Sequence, residues 1–209
     1  MPVVGRPQGK RRRGVRLAVT LAAVLLLGGC AATPELRYYR VEFPAAPRAD
    51  TPPLPVTLGI DPLSAPEPCQ QERIIYRASP YRIQSYGYDR WESPPVEMVE
   101  ALLLERFAES RMFQRVVPWR REEADYRLQA RLLRFEEVDE GENWYGVVEL
   151  TYELLDGRGR SLLRETSSQR VRAERKSVEA VVEALSRGLQ AGLDEAIART
   201  AAAVVAARR

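Results

Sequence analysis

Histidine is absent from this chain, and its other shortages narrow the possible chemistry further. Without imidazole there is no Ser-His or Cys-His nucleophile pair, and the commonest general base and metal ligand are gone. Beyond residue 30 a single lysine remains, Lys176, next to Ser177. Adjacent residues at a helix start do not face each other as a Ser-Lys dyad requires. No G-x-x-x-x-G-K-[ST] stretch occurs, so the chain does not hold ATP in that way. Gly157-Arg-Gly159 is a fragment of a glycine motif that sits in a hairpin rather than before a helix, and it reads as a turn. Long apolar runs are missing too. The run Leu17–Leu27 is eleven residues, too short for a bilayer core of about 30 Å at about 1.5 Å per residue.

What precedes and follows that run is informative. Lys10-Arg-Arg-Arg13 and Arg16 lie before it, and Gly28-Gly29-Cys30 after it. A basic flank, a short apolar core and small residues at a cut are the marks of a secretory signal peptide. Cys30 directly after Leu27-Gly-Gly resembles the bacterial lipoprotein box, which implies a diacylglycerol on the thiol and cleavage just before it. The expectation is a leader over residues 1–29 and covalent lipid on Cys30, with no other cofactor and no metal.

Cleavage changes the charge balance. The leader takes six of the 32 basic residues and none of the 29 acidic ones, leaving 26 against 29, a formal −3. The precursor pI of 9.0 is therefore no argument for nucleic acid. The remaining 180 residues suffice for one domain with a sizeable core. If Cys30 carries lipid, Cys69 has no partner within the chain, and no basic setting activates it.

Along the chain, Tyr38–Phe43 alternates as a short first strand within an anchor, lead and linker segment over residues 30–55. A single domain is expected over 56–200. Val56, Leu58 and Ile60 share one face of a strand, and Arg73–Tyr76 and Tyr81–Tyr86 follow as two more. Ser93-Pro94-Pro95 starts a helix, with Ser93 as its cap, and Val96, Val99, Leu102, Leu103 and Phe107 form the apolar stripe. Phe113–Val117 is a short strand. Asp125–Val138 slips in pattern after Leu133, and Trp144–Leu155 and Ser161–Ala173 complete a meander. Ser177 caps a last helix striped by Val178, Val181, Val182, Leu185, Leu189, Leu193 and Ile197, and the tail 201–209 is expected to fray. The fold class is α+β, a two-layer α/β sandwich with a mostly antiparallel sheet and two amphipathic helices on one face.

Charged clusters have two readings each. Glu122-Glu123, Glu136-Glu137 and Asp139, Glu140, Glu142 serve acid/base or calcium chemistry, or keep a hairpin loop over Glu136–Asn143 soluble; the loop reading is preferred. The basic run Arg158–Lys176 meets an anionic surface, or covers an outer sheet face; the latter is preferred. Tyr88, Asp89, Arg90 and Trp91 form either a docking surface or a structural knot, with Trp91 plugging the core edge and Asp89 pairing with Arg90.

The stretch Tyr81-Arg-Ile-Gln-Ser-Tyr-Gly-Tyr-Asp-Arg-Trp91, followed by a Pro-started helix, resembles the auxiliary lipoproteins of ABC-type transport systems, the paraquat-inducible PqiC-like family. Tyr38-Tyr39, Leu58-Gly-Ile60, Asp125-Tyr-Arg-Leu128, Phe135-Glu136 and Leu154-Leu-Asp-Gly157 fall in that family's order. Leu63–Gln71 departs from its Pro-x-Tyr-Leu-Asp-Arg-Pro-like segment. The resemblance implies a lipoprotein facing the periplasm from the outer membrane, without catalysis of its own. Its implied partners are an MCE-type lipid-binding protein and, through it, an inner-membrane ABC permease and ATPase. Self-association through sheet edges or exposed loops is expected as well. A periplasmic hydrolase using acids alone, or a structural envelope lipoprotein without a transporter, stands as the alternative.

Overall fold

Two long antiparallel ladders frame the fold. Strand β6 (Tyr126–Glu140) runs against β7 (Asn143–Asp156), and β7 against β8 (Ser161–Arg172). The computed structural model describes residues 35–45, 51–119 and 123–209. Cys30, the leader and Glu122 lie outside the described residues.

The other edge of β6 is shared. Its beginning pairs in parallel with β2 (Leu54–Ile60), Leu58 opposite Tyr126 and Ile60 opposite Leu128. Its end pairs in parallel with β3 (Arg73–Ser79), Tyr76 opposite Glu137. Outside β2 lies β5 (Phe113–Pro118), parallel to it. Outside β3 lie antiparallel β4 (Arg82–Trp91) and then β1 (Arg37–Tyr39), parallel to β4. The sheet is thus mostly antiparallel over its length, as the alternating strands imply, while its parallel pairings are short.

Helices α1 (Pro95–Glu109) and α2 (Val178–Ala207) join one continuous core with the sheet. Val99, Leu103 and Phe107 are the buried stripe of α1, and Leu128, Leu132, Phe135, Leu150 and Leu154 are among the sheet residues it shares a core with. Alternation explains the sheet residues, since every second side chain points to the helices.

Several expectations shift. Pro94, not Ser93, stands at the N-cap of α1, and no side chain caps it; Ser177 does cap α2, accepting from the Ala180 N–H at 3.2 Å. α2 continues through the alanine-rich end to Ala207, with Ala201 and Val204 in the core. The first strand is Arg37–Tyr39 rather than Tyr38–Phe43.

The largest revision concerns Glu136–Asn143. This stretch is not a loop. Paired strand continues to Glu140 opposite Asn143, and the turn is only Gly141-Glu142, with Gly141 at φ 66°, the left-handed conformation glycine adopts without strain. The slip after Leu133 is a bulge between Leu132 and Arg134. One extra residue reverses which side chains face inward. It turns Phe135 and Glu137 toward the helices, and both are buried.

Candidate functional site

The corner made by β1, β4 and the end of β3 gathers the chain's least ordinary side chains. In the parallel register Arg37 lies opposite Asp89, Tyr38 opposite Arg90 and Tyr39 opposite Trp91. Alternation therefore sends Arg37, Tyr39, Asp89 and Trp91 to one face and Tyr38, Tyr88 and Arg90 to the other.

On the inner face Asp89 is 3% exposed. The Arg37 guanidinium meets its two oxygens at 2.8 and 3.0 Å, and the Tyr39 hydroxyl donates to Oδ1 at 2.9 Å. That hydroxyl also lies 3.3 Å from Glu179 in the first turn of α2. Burial, then the bond to Asp89, pushes the Tyr39 phenol well above its ordinary value. Trp91 is 1% exposed, its ring 5.3 Å from that of Phe135 in a tilted pair. Its Nε1 finds no hydrogen-bond partner among the described residues. On the outer face Arg90 donates to the carbonyls of Tyr86, Gly87 and Asp89 at 2.8 to 2.9 Å.

The four residues singled out from sequence thus separate. Trp91 does plug the core, but Asp89 pairs with Arg37 and Tyr39 rather than with Arg90. Arg90 ties down the backbone where β4 bulges against β3. Tyr88 stands exposed.

Next to this network sits Glu137, 1% exposed. The Tyr86 hydroxyl donates to its Oε2 at 2.7 Å, and Oε1 has no partner among the described residues. Burial lifts its carboxyl to about 7; the Tyr86 bond opposes this rise, and Asp139 adds to it. The Tyr86 ring lies 4.9 Å from Tyr76. Glu136 faces the other way and is held by Arg77 at 3.0 Å and Arg134 at 2.6 Å. Reading these acids as loop residues hid both roles. The visible signal was the apolar Phe135 and Val138 around them, which continues a strand rather than opening a loop.

Other candidates take structural roles. Arg160, Arg164, Arg170, Arg175 and Lys176 each pair with a carboxylate, so the outer face of the meander is a field of ion pairs rather than bare positive charge. Cys69 is buried, and burial pushes its thiol up to about 11, out of nucleophilic range at neutral pH. Sequence reasoning did not single out Arg106. It is 1% exposed on α1, gripping Asp194 of α2 through two bonds at 2.8 and 2.9 Å and donating to the Pro44 carbonyl. Its position within a helical stripe was the available clue. No group of three or more metal-ligating side chains gathers among the described residues, and no helix among them is long and apolar enough to cross a membrane.

No curated protein matches the chain. Among solved structures, protein XCC0632 from Xanthomonas campestris, of the family DUF330, is similar at TM-score 0.75 and 22% identity, covering 82% of this chain and 99% of that one. An uncharacterized protein is similar at TM-score 0.65 and 15% identity, covering 79% and 99%. The hypothetical protein CT253 from Chlamydia trachomatis reaches TM-score 0.50 at 10% identity, covering 73% and 99%. At these identities the likeness is one of fold. The sequence model described as "ABC-type transport auxiliary lipoprotein component" matches residues 39–198. That match runs from Tyr39 in β1 to the sixth turn of α2, and the chain belongs to the family of ABC-type transport auxiliary lipoprotein components.

Proposed function

We propose that this protein is a non-catalytic docking component of an intermembrane lipid-transport system, anchored through lipid on Cys30 to the outer membrane and facing the periplasm. Its partners are an MCE-type lipid-binding protein and, through it, an inner-membrane ABC permease and ATPase. The family match over residues 39–198 supports the tie to ABC transport. The docking role rests on one observation: the apolar side chains of sheet and helices meet in a single continuous core. The acids that an acid-only hydrolase would need are largely tied into structure, Asp89 by Arg37 and Tyr39 and Glu136 by Arg77 and Arg134.

A lipid carrier is the second reading, and one observation favours it. A surface groove of about 520 Å³ runs beside the end of α2, lined by Leu54, Met112, Ala201 and Val205 with Arg209 at its rim. Apolar walls with a few polar groups suit small ligands of that size. Extraction of the protein purified from envelopes, followed by lipid mass spectrometry, separates the two. Docking predicts no bound lipid beyond the covalent anchor. Stoichiometric phospholipid would make the protein a carrier.

A further inference from the structure

Six large apolar side chains are exposed among the described residues, and five of them, Leu36, Tyr38, Tyr81, Ile83 and Tyr88, fall on β1 and the residue before it, on β4, and on the turn before β4. Their grouping is set by register. Tyr38 and Tyr88 share the outer face with Arg90, and Leu36 lies just before β1, two residues ahead of Tyr38. Ile83 lies opposite Arg77, whose guanidinium binds Glu136 on that same outer face. Tyr81, at the tip, is 95% exposed. Single exposed hydrophobics are ordinary, whereas five of the six gathered along one edge of the sheet mark a candidate contact surface.

We propose that this aromatic corner rests on the lipid headgroup layer of the membrane that holds Cys30. The inference rests on the lipid-anchor reading and adds an orientation to it. Leu36 follows Cys30 by six residues, so even fully extended chain holds Leu36, at the near end of the corner, within about 20 Å of the anchored thiol. No other surface of the domain begins so close to the anchor along the chain. Tyrosine suits the layer, since its ring is apolar and its hydroxyl stays hydrated. Residues 73–88 contain three arginines and no acidic residue; with Arg77 taken up by Glu136, the remaining positive charge suits anionic headgroups.

The full-length acylated chain is reconstituted in vesicles of phosphatidylethanolamine and phosphatidylglycerol containing a lipid with a nitroxide at headgroup depth. One sample carries a fluorescent dye at Ile83→Cys and the other at Arg158→Cys, in the exposed β7–β8 turn; buried Cys69 stays unlabelled. The expected result is loss of most of the dye emission at position 83 and little at 158. Adding Tyr38→Ser and Tyr88→Ser to the Ile83→Cys chain restores the emission. Equal emission at both positions overturns the proposal. So does quenching at 83 that follows protein density rather than nitroxide content, which would assign the corner to a second copy. Flotation separates the two readings: a chain that floats unquenched keeps its anchor and loses this orientation, and a chain that does not float loses both.

Discussion

A carboxyl that is 1% exposed, with one oxygen bonded to Tyr86 and the other without a partner among the described residues, does not titrate like a surface acid. Folded Glu137 holds its proton up to about 7, against an ordinary 4.5. Between those values the native chain keeps a proton that the unfolded chain has released. Its contribution to stability is therefore full below pH 4.5, falls as pH rises to 7, and is flat above. The expected fall is about 3 kcal/mol. Urea unfolding across that range should show this slope in the wild type and its loss in Glu137→Gln, which keeps an acceptor for Tyr86. A second prediction concerns Arg106, buried beneath a partner that is itself part-exposed. Asp194→Ala leaves the guanidinium in the interior with the Pro44 carbonyl as its remaining bond, and is expected to lower stability by about 3 kcal/mol. Arg199→Ala, at a surface pair with Glu165, should cost less than about 1 kcal/mol. Neither buried charge was singled out from the sequence, though each had an apolar setting that hinted at burial. Charged residues beside apolar ones look alike on a solvated strand and on a buried one, and only the bulge after Leu132 decides which way Glu137 points.

At the scale of elements, α2 lies so close on β7 that a side chain at Gly146 has no room. A Cβ there would come 2.6 Å from the Leu185 backbone nitrogen and 2.9 Å from the Ala184 carbonyl carbon. Gly146→Ala must push the helix off the sheet, and a loss of about 1–3 kcal/mol is expected, read as a lower thermal midpoint in calorimetry. The two helices and the β6–β7–β8 meander were legible because their apolar periods are long: seven stripe positions from Val178 to Ile197 are all buried. The parallel pairings were not. Strand β1 has three residues, too few to carry an alternation, and the parallel joins of β2 and β3 to β6 depend on contacts distant in sequence. The outer face of β4 was readable only in part. Tyr88 stood out, but Tyr38, on the same face, comes from a strand fifty residues earlier, brought alongside by register alone.

For the whole molecule, the domain from Leu36 to Arg209 forms one compact unit. In the proposed reading, its place in the cell is set by lipid on Cys30. Several acyl chains at about 0.8 kcal/mol per buried CH₂ make attachment stable where one chain is marginal. Cys30→Ser is expected to stop cleavage after Gly29 and to abolish the lipid-modified mass, with the domain lost from the outer-membrane fraction. Unchanged fractionation with the mature N-terminus elsewhere would remove the anchor from the account. The most direct measurement of docking is affinity purification of the tagged full-length protein from gently solubilised envelopes after brief cross-linking, with partners identified by mass spectrometry. The account predicts recovery of an MCE-type protein together with an ABC permease. Recovery of the anchored, folded protein with neither of them would contradict it.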